Sequence, residues 1–170
     1  MRGPVRFVPL GASENASRAR WLAPVSIMIG SMVTILPFVA GFAWLPPFGL
    51  MMLLGWRLLR ADTIKVWAAV PLGFFDDMFS GQPLGNSMLF WTLCVIAIDI
   101  LDTRLVWRDY WQNWLIAAGS IAFCLIAGRL IATPIDAHVE TTLALQIFIS
   151  AALFPLVAHY CTWLDRDTRG

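Results

Sequence analysis

Long apolar runs separated by short polar segments fill most of this 170-residue chain. A bilayer core about 30 Å thick needs roughly 20 helical residues, which sets the length expected of a membrane-spanning run. Six runs stand out, at 22–44, 46–59, 64–79, 83–101, 114–132 and 142–163. The pattern predicts an all-α integral membrane protein with six transmembrane helices, of which the second is short.

Prolines mark the beginnings and interiors of these runs. Pro46 opens the second run, where a missing N–H suits the first helical turn. Pro71 lies inside the third run and removes one main-chain hydrogen bond, which predicts a bend or a break. The fourth run starts near Pro83, so we expect Gly85 and Asn86 in its first turn.

The cationic residues follow the positive-inside pattern. Six spans put both termini on one side of the membrane, and cytoplasmic loops carry the excess of Lys and Arg. Of the 12 cationic residues all but Arg129 fall on that side. These are Arg2, Arg6, Arg18, Arg20, Arg57, Arg60, Lys65, Arg104, Arg108, Arg166 and Arg169. We therefore expect cytosolic tails at 1–21 and 165–170 around a transmembrane domain at 22–164.

Composition agrees with a lipid environment and narrows the function. The chain is 59% hydrophobic and 14% charged, whereas soluble domains are about a quarter charged. It has no basic block that would bind nucleic acid, and no motif for phosphate, zinc or a serine nucleophile. Cys94, Cys124 and Cys161 lack metal-ligand spacing. The sequence thus predicts a non-enzymatic protein without metal or cofactor, whose partners are in the membrane.

Two adjacent carboxylates lie at the outer end of the third span. Asp76 and Asp77 directly precede the turn at 80–85. A carboxylate near hydrocarbon is costly unless it is paired, hydrated or accepts hydrogen bonds. The start of the fourth span offers unpaired N–H groups and the positive end of a helix dipole. We expect an Asp to latch a tight outer hairpin, with a partner or ligand contact as the alternative.

Small residues recur every four positions along the fifth span. They are Ser120, Cys124, Gly128 and Ala132. In hydrocarbon, such a stripe permits close approach between helices, so we expect it to form a helix–helix interface. Two occupants stay open: another helix of the same chain, or the transmembrane helix of a partner or second copy.

Aromatic residues precede the fifth span at helical spacing. Trp107, Tyr110, Trp111 and Trp114 would form one stripe on a helix between the fourth and fifth spans. Such a stripe is typical of an interfacial helix at headgroup level, and a docking surface for a cytosolic partner is the alternative.

The segment from Gly73 to Gly85 carries a family resemblance. Its sequence GFFDDMFSGQPLG resembles the G-x-x-x-D-x-x-S-G-x-x-L-G signature of the bacterial rod-shape-determining MreD family. The residues that match the signature are Gly73, Asp77, Ser80, Gly81, Leu84 and Gly85. We add Pro83, which lies between them in the predicted turn. Pro46 followed by Trp56, and Pro155 in the last span, resemble further family positions. Departures from the family are the extra Asp76, the polar tail of about 20 residues before the first span, and a glycine at position 49, where the family often has a polar residue.

The resemblance implies a non-enzymatic scaffold of the cell-elongation machinery in the bacterial inner membrane. It implies a fold similar to the six-helix substrate-binding subunits of energy-coupling-factor vitamin transporters. Implied partners are an MreC-like single-span periplasmic protein, the MreB filament, and a glycosyltransferase and a transpeptidase of peptidoglycan synthesis. Membrane lipid and a second copy of the chain are further partners expected from the composition and the small-residue stripe. The competing hypothesis is a vitamin-like small-molecule binding or transport protein, which would need a polar-lined cavity between helices.

The charge asymmetry gives a test of topology. The native cysteines are replaced by alanine, and one new cysteine is introduced by Ala137→Cys or by Thr168→Cys. We expect an impermeant maleimide applied to spheroplasts to modify the first variant and not the second. The reverse labelling pattern would contradict the orientation. Labelling both positions after permeabilisation is the control for reactivity.

Overall fold

The computed structural model describes residues 11–33, 45–60, 63–80, 83–104, 109–132 and 140–167. Within these ranges the chain forms six α-helices, which confirms the prediction of an all-α fold. They are α1 (Gly11–Met32), α2 (Phe48–Leu59), α3 (Val66–Ser80), α4 (Asn86–Arg104), α5 (Tyr110–Ala132) and α6 (Glu140–Asp167).

Three of these helices are long and apolar enough to cross a bilayer. They are α4, α5 as far as Ile131, and α6 from Thr141. The apolar part of α1, Trp21–Met32, and the whole of α2 are shorter. Length and composition thus identify three spans among the six that the sequence predicts.

α1 and α5 begin a turn or more before the apolar runs that predict them. α1 begins at Gly11, inside the segment predicted as a tail, where alanine and arginine favour helix without requiring lipid. The rest of the first predicted run, 34–44, lies outside the described residues. α5 begins at Tyr110, so Tyr110, Trp111 and Trp114 belong to the fifth helix itself. The separate interfacial helix predicted there is wrong for these residues, and Trp107 lies outside the described part.

The second and fourth helices begin after the prolines that open their predicted runs. Pro46 and Pro47 precede α2 and are not part of its first turn. α4 begins at Asn86, after Pro83, because Gly85 has a φ of +99°, which an α-helix cannot include. α3 continues through Pro71, so this proline does not break the helix.

Successive helices alternate in direction. Ser31, near the end of α1, lies beside Gly49 at the start of α2. Arg57, near the end of α2, lies beside Asp99, near the end of α4. We call the end with the α3–α4 turn the hairpin end. The opposite end, with Arg57 and Lys65, is the basic end.

α2 is the central helix of the described fold. Every residue from Gly49 to Arg57 is buried. α1, α5 and α6 pack around it, and α3 and α4 form a closely packed pair beside it. Its 12 residues extend about 18 Å, well short of a bilayer core. α2 is therefore held mainly by other helices and not by lipid.

The buried indole of Trp56 ties α2 to α1. Its N–H donates to the Ser26 hydroxyl over 2.7 Å, and that hydroxyl donates to the Ala23 carbonyl over 2.9 Å. Trp56 is 1% exposed, so its N–H needs a partner within the protein, and Ser26 supplies it. Trp56, which resembles a family tryptophan, thus forms a polar contact between α2 and α1 within an apolar core.

Pro155 and Trp114 compensate each other between α6 and α5. A proline at 155 has no N–H to give to the carbonyl four residues earlier, at Ala151. The Trp114 indole N–H donates to that carbonyl over 3.0 Å. The proline is tolerated within α6 because a side chain of the neighbouring helix replaces the missing donor.

The buried face of α5 packs against α4 of the same chain. The sulfur atoms of Cys94 and Cys124 lie 3.3 Å apart, and the Cys94 thiol lies 3.8 Å from the Ser120 carbonyl. Gly128 is also buried, whereas the Ala132 side chain lies outside the described part. Of the two occupants expected for the small-residue stripe, the structure brings an intrachain helix to Ser120 and Cys124.

We expect Trp114→Phe to lower the free energy of unfolding by about 1–3 kcal/mol, because the Ala151 carbonyl loses its donor in an apolar environment. Unfolding in detergent micelles measures it. Trp111→Phe is the matched control, since Trp111 is 71% exposed.

A double-mutant cycle isolates this hydrogen bond. Pro155→Ala restores a helical N–H to the Ala151 carbonyl, so Trp114→Phe should cost much less in that background. Equal costs in the two backgrounds would contradict the compensation.

Candidate functional site

The carboxylate of Asp77 holds the start of α4. It accepts main-chain hydrogen bonds from Gly85 over 2.9 Å, Ser87 over 2.8 Å and Met88 over 3.3 Å. These N–H groups lie at a helix start, where no intrahelical acceptor exists and the helix dipole favours negative charge. Asp77 is 2% exposed. The carboxylate thus latches the two arms of the hairpin together, as expected of an Asp at this place.

Gly73 allows α4 to approach α3. A Cβ atom added to Gly73 would lie 2.6 Å from the Met88 Cα, 2.8 Å from the Met88 nitrogen and 2.8 Å from the Ser87 carbonyl oxygen. These are main-chain atoms, which cannot move away as a flexible side chain can. Gly73 and Asp77 are one helical turn apart, so they lie on the same face of α3. Gly73 permits the close approach of the two helices, and Asp77 accepts hydrogen bonds from the start of α4.

Gly85 shapes the turn that enters α4. Its φ of +99° lies in the left-handed region, which L side chains rarely adopt. The Leu89 N–H donates to the Gly85 carbonyl, and the Gly85 N–H donates to Asp77. Any larger residue here would strain the turn that delivers three donors to one carboxylate.

The other residues of the motif lie around this turn. Ser80 ends α3, and its buried hydroxyl has no hydrogen-bond partner among the described residues. Pro83 and Leu84 are exposed, Leu84 by 73%. Gly81 lies outside the described part of the chain. Pro83 and Leu84 are therefore available to lipid or a partner, whereas Gly73 and Asp77 are fully used within the hairpin.

Asp76 connects three helices at the hairpin end. Its carboxylate accepts a hydrogen bond from the Ser87 hydroxyl over 2.9 Å and interacts with the Ser31 side chain. A Cβ on Gly49 would lie 2.3 Å from the Ser31 oxygen and 3.1 Å from the Asp76 oxygen. The absent side chain at Gly49 therefore makes room for Asp76 and Ser31. Two departures from the family pattern, the extra Asp and the Gly, thus occupy one polar cluster.

A second polar cluster lies at the basic end. The buried guanidinium of Arg57 forms a salt bridge with Asp99 and lies 3.7 Å from Asp102. It also donates to the Ile64 carbonyl over 3.5 Å. Paired charges of this kind avoid the cost of an isolated charge in apolar surroundings. The cluster joins α2 to α4 as Asp76 joins α1 to α3 and α4.

Sequence reasoning missed this cluster. It counted Arg57 among the residues of a cytosolic turn, but the structure has it in α2 with 4% exposure. The available signal was an arginine near the end of one apolar run and two aspartates, three residues apart, near the end of another. The hydrophobic pattern does not reveal which two helices are neighbours, so the pairing could not be assigned.

The chemistry of both clusters is that of hydrogen bonds and ion pairs between side chains of neighbouring helices. Asp76 and Asp77 accept hydrogen bonds from donors of the same chain, and Asp99 and Asp102 lie within ion-pair distance of Arg57. Within the described residues, no three His, Cys, Asp or Glu side chains are grouped to hold a metal ion. What this arrangement does is fix the relative positions of helices.

We expect Asp77→Ala to destabilise the protein by about 2 kcal/mol, because three N–H groups at the start of α4 lose their acceptor. Asp76→Ala should cost less, since Asp76 receives only side-chain donors. Membrane abundance and unfolding in detergent measure both. Equal abundance and equal stability of the two variants would contradict this ranking.

A comparison with protein families gives an independent assignment. The family model described as rod shape-determining protein MreD matches residues 16–164, most of the chain. No curated protein and no solved structure matched. The matched region includes the α3–α4 hairpin, whose glycine and aspartate carried the resemblance seen in the sequence. The chain therefore belongs to the MreD family of rod shape-determining membrane proteins.

Proposed function

We propose that this protein is a non-enzymatic scaffold of the cell-elongation complex in the bacterial inner membrane. In this proposal it crosses the membrane six times, with both termini in the cytosol. Family membership supports the role in rod shape. The polar clusters also support it, because their carboxylates are used in holding helices together and not in a catalytic arrangement.

The observation that carries the proposal is an apolar groove between α1 and α6. These helices lie on either side of α2 and do not pack closely on each other. The groove between them has a volume of about 500 Å³. One wall includes Val25 and Ile29 of α1 and Val33 directly after it, and the other includes Leu156, Tyr160 and Leu164 of α6. Phe48 and Met52 of α2 form the floor.

The spacing of these residues favours a helical occupant. Val25, Ile29 and Val33 recur every four positions at the end of α1, and the α6 residues also recur every four. Each set therefore forms a stripe along its helix, about 12 Å long, and the groove follows the helix axes. A groove between two such stripes suits a helix that lies alongside them.

We propose that the single transmembrane helix of an MreC-like partner occupies this groove. Through that partner and through its cytosolic end, the scaffold would connect periplasmic wall synthesis by a glycosyltransferase and a transpeptidase with the MreB filament. A vitamin-like ligand is less favoured here, because such a ligand needs converging polar groups and this groove is almost wholly apolar.

Filling the groove tests the proposal. We expect Leu156→Trp to reduce co-purification of the MreC-like protein at least about tenfold, with unchanged membrane abundance, because the indole occupies the space of the partner helix. Leu145→Trp is the matched control: Leu145 is exposed on the same helix but does not line the groove. Undiminished co-purification with Leu156→Trp would reject this docking site.

A further inference from the structure

A charged cavity opens at the basic end, away from the groove. Its volume is about 890 Å³. It lies between the end of α2, the start of α3 and the end of α4, and its polar or aromatic lining residues are Arg57, Lys65, Trp67, Asp99, Asp102 and Thr103. None of these residues belongs to the family motif at the hairpin end.

The cavity lies at the depth of lipid headgroups. α4 is one of the three helices that can cross a bilayer, and its 19 residues extend about 28 Å, close to the thickness of the hydrocarbon core. Asp99, Asp102 and Thr103 occupy its last two turns. Trp67 is 85% exposed at the cavity rim, and exposed tryptophans in membrane proteins concentrate at this level.

The charges of the cavity balance and are separated in space. Arg57 is buried against Asp99 and Asp102 on the α4 side, while Lys65 is exposed at the start of α3. The Asp99 side chain retains 40% exposure beside its arginine. One wall therefore offers carboxylate oxygens and the other an ammonium group. A purely anionic or purely cationic headgroup would meet charge of its own sign.

We propose that this cavity binds the headgroup of a zwitterionic phospholipid with a primary ammonium, as in phosphatidylethanolamine. The ammonium of the lipid donates a hydrogen bond to the exposed Asp99 carboxylate, and its phosphate pairs with Lys65. A choline headgroup carries no N–H and cannot make the first contact. The lipid chains leave the cavity past Trp67. This binding is independent of the partner helix proposed above.

Lipid retention by the purified full-length protein tests the proposal. The protein in detergent is incubated with phosphatidylethanolamine, phosphatidylcholine and phosphatidylglycerol of identical acyl chains, and bound lipid is counted by native mass spectrometry. We expect the ethanolamine lipid to be retained several-fold over the other two. Preference for phosphatidylglycerol, or equal retention of all three, would overturn the assignment.

Lys65→Gln should reduce retention of the ethanolamine lipid by about fivefold without affecting folding, because Lys65 is exposed. Arg166→Gln is the matched control, since it removes a positive charge from an exposed residue of α6 outside the cavity. An equal loss in both variants would indicate a general charge effect and reject the site.

The source of the headgroup is tested separately. Soluble phosphoethanolamine in excess should leave the bound lipid in place, because it lacks the chains that hold the lipid at the cavity. Displacement of the lipid by the soluble compound would assign the cavity to a free metabolite and overturn the lipid proposal.

Discussion

The three hydrogen bonds between the Asp77 carboxylate and the start of α4 are the constraint on which the hairpin depends. They can form only because Gly73 lets the main chains of α3 and α4 come within contact distance. A buried carboxylate without donors would be strongly unfavourable, and unpaired N–H groups at a buried helix start would be unfavourable too. The N–H groups donate to the carboxylate, so neither is left without a partner and the contact stabilises the hairpin. Gly73 and Asp77 are one helical turn apart, because both must face the start of α4.

Buried polar groups are satisfied by other groups of the chain elsewhere in the fold too. Pro155 deprives the Ala151 carbonyl of its helical donor, and Trp114 supplies another. Trp56 donates to Ser26 within the apolar core. At the basic end, the buried Arg57 is balanced by Asp99. Lipid offers no hydrogen bonds, so polar groups inside such a protein must be satisfied by its own chain. These few contacts give specificity to helices that apolar packing alone would hold less selectively.

The way in which the helices are held together supports the proposed scaffold role, because it leaves the outer surface for partners. The short α2 is enclosed by its neighbours, and the polar clusters fix the helices around it at both ends. What remains for partners is the outer surface, including the groove between α1 and α6 and the cavity at the basic end. The groove is apolar and elongated, whereas the cavity is charged. This difference in lining is the basis for the different occupants proposed for them, a transmembrane helix and a lipid headgroup.

The sequence by itself determined the helical class, the positions of most helices, the family and the aspartate that caps the hairpin. Apolar runs, glycine and helix-start chemistry are local properties, and periodicity reports them directly. Only the tertiary structure decided that α2 is enclosed, that Trp114 serves Pro155, and that Arg57 meets Asp99 instead of lying in a loop. Each of these depends on which helices are neighbours. In an apolar environment many helix pairings bury similar surfaces, so the hydrophobic pattern does not choose among them, whereas a few distant polar contacts do.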